Sequence, residues 1–232
     1  MTETNDTRFQ GKVIIITGGG GQFGREGCIF FAKRGAKVVA LDLSATGLEE
    51  TVQEVKAAAG KTAEILPVEC NVTDVASVQK AVDTVVAKYQ TIDLLWNNAG
   101  YQGEIKPTLE YDPADFARVM NINVTGMFIV LQAVAKQMAK QSPPDKSQSH
   151  YYSIVNTSSV AGLRGTPAMV AYASSKAAVL SMTVSTSKDL APHGIRVNAI
   201  SPALIGPGFM WDRQNELVGL DILKENYLTF CD

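Results

Sequence analysis

Residues 12–24 have the sequence Lys12-Val-Ile-Ile-Ile-Thr-Gly-Gly-Gly-Gly-Gln-Phe-Gly24, in which an apolar, β-branched run precedes four glycines. The run predicts a buried strand over Lys12–Thr17, and the glycines predict a tight turn. Apolar residues then recur at helical spacing over Phe23–Arg34 and stop at Gly35, which predicts a helix. The chain therefore begins with a strand–turn–helix unit.

The same alternation continues along the rest of the chain. Ser44 is placed to cap a helix that Gly60 closes. The further predicted strands are Val38–Leu41, Glu64–Cys70, Ile92–Trp96, Ile154–Ser158 and Ile195–Ile200, and the further helices are 75–89, Pro113–Lys140 and Pro167–Leu190. Strands alternating with helices predict an α/β fold, a doubly wound Rossmann-type parallel sheet with helices on both faces. We expect one domain over residues 1–232, with a polar tail at 1–10.

Composition narrows the classes of protein. The 232 residues are 46% hydrophobic and 19% charged, which is typical of a globular enzyme. The net charge is −2 and the sequence has no basic stripe, so we expect no nucleic-acid partner. The longest apolar runs, such as Val13–Ile16, have strand length, so no membrane association is expected. Met1–Gln10 has no apolar signal-peptide core, which predicts cytoplasmic residence. The three cysteines, Cys28, Cys70 and Cys231, lack metal-ligand spacing, so we expect no metal and a core position for the first two.

The glycine-rich turn predicts a dinucleotide site. It lies where a strand meets a helix, so the backbone can approach a pyrophosphate and the helix N-terminus offers free N–H groups. Asp42 ends the next predicted strand, 18 residues after Gly24, where a carboxylate can accept hydrogen bonds from both ribose hydroxyls. The same carboxylate would repel a 2′-phosphate, and neighbouring Leu43 and Gly21 offer no cation. NAD is therefore the expected cofactor.

Three further residues form an acid–base set. Tyr172 and Lys176 are four residues apart, so on a helix they share one face, and Ser159 precedes Tyr172 by 13 residues. A phenol with a pKa of about 10 needs about 4 kcal/mol of preference for phenolate to ionise near neutral pH. One ammonium at about 4 Å supplies roughly that much at an effective dielectric near 20. The alternatives are that Tyr172 and Lys176 form an ordinary surface pair and that Ser159 is only a hydroxyl at the end of a strand.

Taken together, these residues resemble the short-chain dehydrogenase/reductase family. The matching pieces occur in the family's order between about residues 10 and 215: Thr17–Gly24, Asp42, Asn97-Asn-Ala-Gly100, Asn123-Val-Thr-Gly126, Ile154-Val-Asn-Thr-Ser-Ser159, Tyr172-x-x-x-Lys176 and Arg196-Val-Asn-Ala-Ile-Ser-Pro202. Tyr101-Gln-Gly103 and the run from Gly206 to Gln214 are most similar to the xylitol dehydrogenase branch, which oxidises sugar alcohols.

The resemblance implies a role for each matching residue. Tyr172 would be the acid/base, Lys176 would lower the pKa of Tyr172 and hold the nicotinamide ribose, and Ser159 would polarise the substrate oxygen. Asn123 would interrupt its helix and anchor a water linking Lys176 to solvent. The implied cofactor-binding set is Gly18, Gly21, Gln22, Phe23, Gly24, Asp42, Leu43, Asn71, Val72, Asn98, Ala99, Gly100, Tyr172, Lys176, Pro202 and Ile205. The resemblance also implies a homo-oligomer.

Several positions depart from the family pattern. Gln22 replaces the usual middle glycine of the turn, and its side chain could reach a ribose or phosphate or face water. Asn71 replaces an Asp that meets the adenine amino group, although an amide can still accept that hydrogen bond. Ala203 stands where glycine is usual, and Pro207 stands where many members have a threonine that contacts the cofactor. The proline cannot donate a hydrogen bond.

The C-terminal segment departs most. Val218–Asp232 shows neither the Thr-Gly nor the Gly-Gly pattern of the family's last helix and strand, so we expect those two elements to be missing, with a substrate-loop region and an atypical terminus over 203–232. Phe209, Met210 and Trp211 would belong to a segment that closes over substrate, or would pack on the core. The expected activity is NAD-dependent interconversion of a secondary alcohol, such as a small polyol, and its ketone. The alternatives are a ketone or 3-oxoacyl reductase and a non-catalytic NAD-binding protein.

Overall fold

A computed structural model describes residues 8–141, 151–203 and 205. These residues form a six-stranded parallel sheet with the strand order β3-β2-β1-β4-β5-β6. The strands are β1 (Val13–Thr17), β2 (Lys37–Asp42), β3 (Ile65–Glu69), β4 (Leu94–Asn97), β5 (Tyr152–Thr157) and β6 (Ile195–Ile200). Each lies within about two residues of its predicted span, which confirms the Rossmann-type α/β fold.

Helices connect the strands on both faces of the sheet. Their bounds are α1 (Gln22–Ala32), α2 (Ala45–Ala59), α3 (Val75–Tyr89), α4 (Pro113–Met120), α5 (Met127–Lys140), α6 (Val160–Arg164) and α7 (Val170–Leu190). Ser44 caps α2 by accepting a hydrogen bond from the Gly47 N–H, and Gly60 follows its last residue with φ +95°, as predicted.

Alternation along the strands produces two hydrophobic layers. In β1, Val13 and Ile15 face a cluster that includes α3 and α5, whereas Ile14 and Ile16 face a cluster built with α1 and α2. Both faces of the strand are thus buried, which explains its continuously apolar sequence. Cys28 and Cys70 are buried free thiols, which confirms their predicted place in the core.

The predicted helix over 113–140 contains an irregular turn. A π-helical segment over Asn121–Gly126 separates α4 from α5, which confirms that the helix is interrupted at Asn123. By length and composition alone, the whole span Pro113–Lys140 could cross a membrane, a feature that the uninterrupted apolar runs did not reveal. Many of its apolar residues pack inside this domain: Val119, Met127, Val130, Leu131, Val134 and Met138 are buried, whereas Phe128 is 42% exposed.

One sequence-based helix boundary was wrong, and one short helix was not predicted. Pro167 does not open α7, which begins at Val170, because Ala168 has a left-handed backbone with φ +59° and Met169 N–H bonds to the Thr166 carbonyl in a turn. The short helix α6, capped by Ser159, was not predicted. The expectations for the segment from Gly206 onward, including Pro207, Phe209, Met210 and Trp211, lie outside the described residues.

Candidate active site

The C-terminal ends of β1 and β4 meet where the strand order reverses, and the glycine-rich turn lies there. Gly18 has φ +68°, and a Cβ on it would approach Asn98 Nδ2 and the Ala99 Cα to 3.1 Å. A Cβ on Gly24 would collide with the Gly18 carbonyl oxygen. Only glycine therefore fits these two positions. In open α/β sheets, the crevice at such a reversal is where ligands bind.

The N-terminus of α1 is left open toward this crevice. Gly21, the residue before the helix, makes no side-chain capping hydrogen bond, whereas Ser44, Asp74 and Asp112 cap α2, α3 and α4 with theirs. Gln22 at the first helical position is exposed. Free N–H groups and the positive end of the helix dipole suit a pyrophosphate, so the turn fits a dinucleotide.

Asp42 ends β2 beside the turn, where the sequence predicted a ribose-binding carboxylate. Its Oδ2 accepts a hydrogen bond from Gly20 N–H at 2.9 Å, and its Oδ1 accepts one from Ser44 N–H at 2.9 Å. Each oxygen retains acceptor capacity, so the carboxylate remains able to accept two ribose hydroxyls. Leu43 is 68% exposed beside it.

The run from Asn97 to Gly100 is tied to β1 through Thr17, a residue for which no separate role was predicted. The Thr17 hydroxyl oxygen accepts hydrogen bonds from Asn98 N–H at 2.8 Å and Ala99 N–H at 2.9 Å. Asn98 Nδ2 donates to the Thr17 carbonyl at 3.2 Å, and Asn97 Nδ2 donates to the Met127 carbonyl at 2.8 Å. A threonine at a strand end that also begins the glycine-rich motif is the signal that could have identified it.

The remaining predicted cofactor residues make local contacts of their own. Phe23 packs edge-on against Trp96 with ring centroids 5.0 Å apart, and Val72 lies against Gly126. The Pro202 carbonyl accepts from Val160 N–H at 3.0 Å, which places it beside Ser159, whereas Ile205 is 44% exposed. Ala203 is exposed too.

The side-chain oxygen of Asn71, which was expected to accept a hydrogen bond from the adenine amino group, is already engaged within the protein. Its Oδ1 already accepts hydrogen bonds from Thr73 N–H at 3.1 Å and Thr73 Oγ1 at 2.8 Å. A carbonyl oxygen has two lone pairs, so a further hydrogen bond from an adenine amino group would have to displace Thr73.

Ser159, Tyr172 and Lys176 come together at the start of α7. Ser159 lies close enough to Tyr172 to lower the pKa of its phenol, and Lys176 Nζ lies 5.6 Å from the Tyr172 ring centroid. The Lys176 side chain is buried, and its Nζ donates to the Thr157 carbonyl at 2.8 Å. The structure thus assembles the predicted acid–base set.

The pKa of Tyr172 is not lowered as expected. Burial raises the pKa of this phenol, and the nearby Ser159 hydroxyl only partly offsets that effect. Lys176 does not lower the pKa of Tyr172, because its ammonium donates to the Thr157 carbonyl instead. In addition, burial lowers the pKa of Lys176 itself to about 8. The proximity of Lys176 to Tyr172 was predictable, whereas the competing carbonyl was not.

Asn123 is fully buried, and both ends of its carboxamide bond to protein groups. Its Oδ1 accepts from Tyr101 N–H at 2.7 Å, and its Nδ2 donates to the Tyr101 carbonyl at 2.8 Å and to Ser175 Oγ at 2.9 Å. Ser175 Oγ in turn donates to the Tyr172 carbonyl at 2.7 Å. Asn123 therefore positions the turn after Gly100 and the first turn of α7. Sequence analysis missed Ser175, although it lies inside the Tyr172–Lys176 motif.

Among the residues that the structure describes, no group of three or more His, Cys, Asp or Glu side chains could hold a metal ion. The site is instead a dinucleotide crevice next to a Ser–Tyr–Lys set, which defines a nucleotide-dependent oxidoreductase. The family model for short chain dehydrogenase matches residues 12–217. The chain belongs to that family.

Three similar proteins indicate the range of activities in this part of the family. A 3-oxoacyl-acyl-carrier-protein reductase of Thermotoga maritima is 39% identical over 198 residues, which cover 85% of this chain and 76% of the relative. Levodione reductase of Leifsonia aquatica is 37% identical over 210 residues, which cover 88% and 74%. The crystal structure of NAD+-bound xylitol dehydrogenase matches with a TM-score of 0.83 and 44% identity, over 93% of this chain and 78% of that one.

Proposed function

We propose that this oxidoreductase uses NAD to interconvert a secondary alcohol and its ketone, and that its substrate is a small polyol such as xylitol. The observation that carries the proposal is the convergence of Ser159, Tyr172 and Lys176 beside the crevice that Asp42 borders. Similarity to an NAD+-bound xylitol dehydrogenase supports both the cofactor and the substrate class. We also propose that it acts in the cytoplasm as a homo-oligomer.

The residues that would hold NAD are those around the crevice. The glycine-rich turn and the open end of α1 would bind the pyrophosphate, Asp42 the adenosine ribose, and Lys176 the nicotinamide ribose. Bound NAD supplies the acceptor for a hydride leaving the carbinol carbon. The Asp42 carboxylate would repel a 2′-phosphate, which favours NAD over NADP.

Proton transfer would fall to Tyr172. In alcohol oxidation, the Oη of ionised Tyr172 would take the hydroxyl proton of the substrate while the C–H electron pair leaves as hydride, and the C–O bond becomes a carbonyl. Ser159 would donate a hydrogen bond to the substrate oxygen and orient it toward Tyr172. Because burial raises the Tyr172 pKa, the free site holds a protonated phenol at neutral pH, which is the form that donates a proton to a ketone in the reverse direction.

A 3-oxoacyl reductase is the second candidate, favoured by the 39% identity to the Thermotoga maritima enzyme. It would use the same three residues in the reductive direction. The carboxylate of Asp42 argues against it wherever reduction depends on NADPH.

The test is a rate measurement at 340 nm with NAD and a panel of polyols, beside a 3-oxoacyl thioester with NADH. We expect turnover of a polyol, and Tyr172→Phe should lower kcat by at least about 100-fold because it removes the proton-transferring oxygen. Tyr89→Phe is the matched control, since the Tyr89 hydroxyl has no hydrogen-bond partner and its loss should leave the rate unchanged.

Turnover of the thioester alone would replace the proposal with the second candidate. A folded protein that binds NAD and turns over neither substrate class would indicate a non-catalytic NAD-binding protein.

A further inference from the structure

Gln102 is a buried side chain whose two polar atoms both lack a partner. It is 3% exposed, and neither Nε2 nor Oε1 makes a hydrogen bond. Buried amides are normally paired, and leaving one unpaired destabilises the folded state. An amide kept in this condition is expected where a ligand completes its hydrogen bonds.

The backbone on both sides of Gln102 is fixed, so the amide cannot readily move to find a partner. Tyr101 exchanges two hydrogen bonds with the Asn123 carboxamide, at 2.7 Å and 2.8 Å. Glu104 N–H donates to Asp115 Oδ2 at 2.8 Å. Gly103 has φ +76°, and a Cβ there would lie 2.5 Å from Val119 Cγ2. The turn is therefore held between two anchors.

This turn passes the catalytic residues. At its start, a Cβ on Gly100 would lie 3.5 Å from Lys176 Nζ. At its end, Lys106 N–H donates to the Ala168 carbonyl at 2.9 Å, just before α7 begins. Gln102 lies between these two points, and the first turn of α7 carries Tyr172.

We infer that Gln102 binds a second hydroxyl of the substrate, one other than the hydroxyl that reacts. This inference rests on the proposed function and specifies which secondary alcohols the site prefers. A carboxamide donates through Nε2 and accepts through Oε1, so it can satisfy a hydroxyl in both of its hydrogen-bonding roles. The substrate class is then a vicinal diol or polyol and its hydroxyketone, in preference to an alcohol with a single hydroxyl.

The experiment compares wild type with Gln102→Leu on xylitol, propylene glycol and isopropanol. The last two share a secondary carbinol, and only propylene glycol has a second hydroxyl. We expect the variant to lose about tenfold to hundredfold in kcat/KM on xylitol and propylene glycol, and less than about threefold on isopropanol. Leucine removes the unpaired amide, so Tm should rise. The control Gln53→Leu makes the same change at an exposed position of α2 and should alter neither quantity.

Equal losses on all three alcohols, or a lower Tm in Gln102→Leu, would show that Gln102 is structural and overturn the inference. Wild type that oxidises isopropanol as efficiently as propylene glycol would overturn it while leaving the dehydrogenase proposal intact. If no alcohol is oxidised, the proposed function fails, and Tm in saturating NAD becomes the readout. Xylitol should then raise Tm of wild type and not of Gln102→Leu, and no rise in either would overturn the inference.

Discussion

Burial acts in opposite directions on the two titrating side chains of the active site. It lowers the pKa of Lys176 to about 8 and raises the pKa of Tyr172, because each side chain is less stable in its charged form away from water. At neutral pH the phenol is protonated, and the Lys176 ammonium, largely charged, is paired with the Thr157 carbonyl. The site therefore keeps a buried charge at a cost in stability.

That cost predicts a pH-dependent effect of Lys176→Met. The unfolded-state pKa of 10.5 lies above the folded-state value of about 8, so the unfolded chain binds more protons in between and wild-type stability increases as pH rises through this window. Between about pH 7 and pH 9.5, the unfolding free energy of wild type should increase by about 2 kcal/mol relative to that of Lys176→Met. Urea denaturation at the two pH values measures it.

Tyr172 ionisation affects both proteins in the same way and cancels in the comparison. A constant difference between wild type and Lys176→Met would contradict a buried ammonium. Lys188→Met, a change at the last turn of α7, is the control and should show no pH-dependent difference from wild type.

At the scale of elements, α1 and α2 are joined through the glycine-rich turn. Arg25 on α1 donates to Glu50 Oε2 at 2.6 Å and to Glu54 Oε1 at 2.7 Å on α2, and also to the Gly20 carbonyl at 3.1 Å. Thr51 Oγ1 lies 2.8 Å from the Gly19 carbonyl, to which it donates. The turn that fits the pyrophosphate is thus held from the side opposite the sheet.

We therefore expect Arg25→Met to weaken NAD binding without slowing chemistry. Methionine keeps an apolar stem and removes the hydrogen bonds that the Arg25 side chain makes to the turn and to α2. KM for NAD should therefore rise about fivefold to tenfold, which corresponds to about 1 to 1.4 kcal/mol. Steady-state kinetics with varied NAD measures it, and kcat should stay within about twofold. Arg34→Met, just beyond the C-terminal end of α1, should leave KM unchanged, and an equal fall of kcat in Arg25→Met would refute a positioning role.

Local sequence was sufficient for most elements, and tertiary contacts account for the exceptions. The six strands and the cap of α2 follow from apolar runs, glycines and Ser44. The late start of α7 depends on the backbone of Ala168, and the pairs formed by Arg25 and Thr157 join residues far apart in the chain. Ser159, Tyr172 and Lys176 were predictable because a short motif carries them, whereas Gln102 is identified by its burial alone.

At the scale of the whole molecule, the sheet brings the predicted nucleotide and catalytic residues to one edge. All six strands are parallel, so the turn after β1, Asp42 at the end of β2, the Asn97–Gly100 run at the end of β4 and Ser159 after β5 all lie at C-terminal strand ends. Residues from both halves of the described chain therefore contribute to one crevice. Filling the crevice should stabilise the folded state as a unit.

Thermal unfolding with and without cofactor tests this coupling. At a concentration of about 100 times Kd, NAD should stabilise the fold by about 2.7 kcal/mol, which corresponds to a rise in Tm of roughly 5 to 10 °C for a domain of this size. NADP at the same concentration should give a smaller rise because of Asp42. Gly24→Ala, whose Cβ would collide with the Gly18 carbonyl oxygen, should lose the shift, and an equal shift with both cofactors would contradict the role of Asp42.

The π-helical segment over Asn121–Gly126 sets the angular phase of everything that follows it in α5. A π turn holds one residue more than an α turn, so side chains after it are rotated by about 100° relative to an uninterrupted α-helix. The inner face formed by Met127, Val130, Leu131, Val134 and Met138 depends on that rotation. Deleting a single residue within 121–126 would therefore close the segment into a regular α-helix and leave this face toward the sheet, so its effect would be confined to the bonds that Asn123 makes with Tyr101 and Ser175.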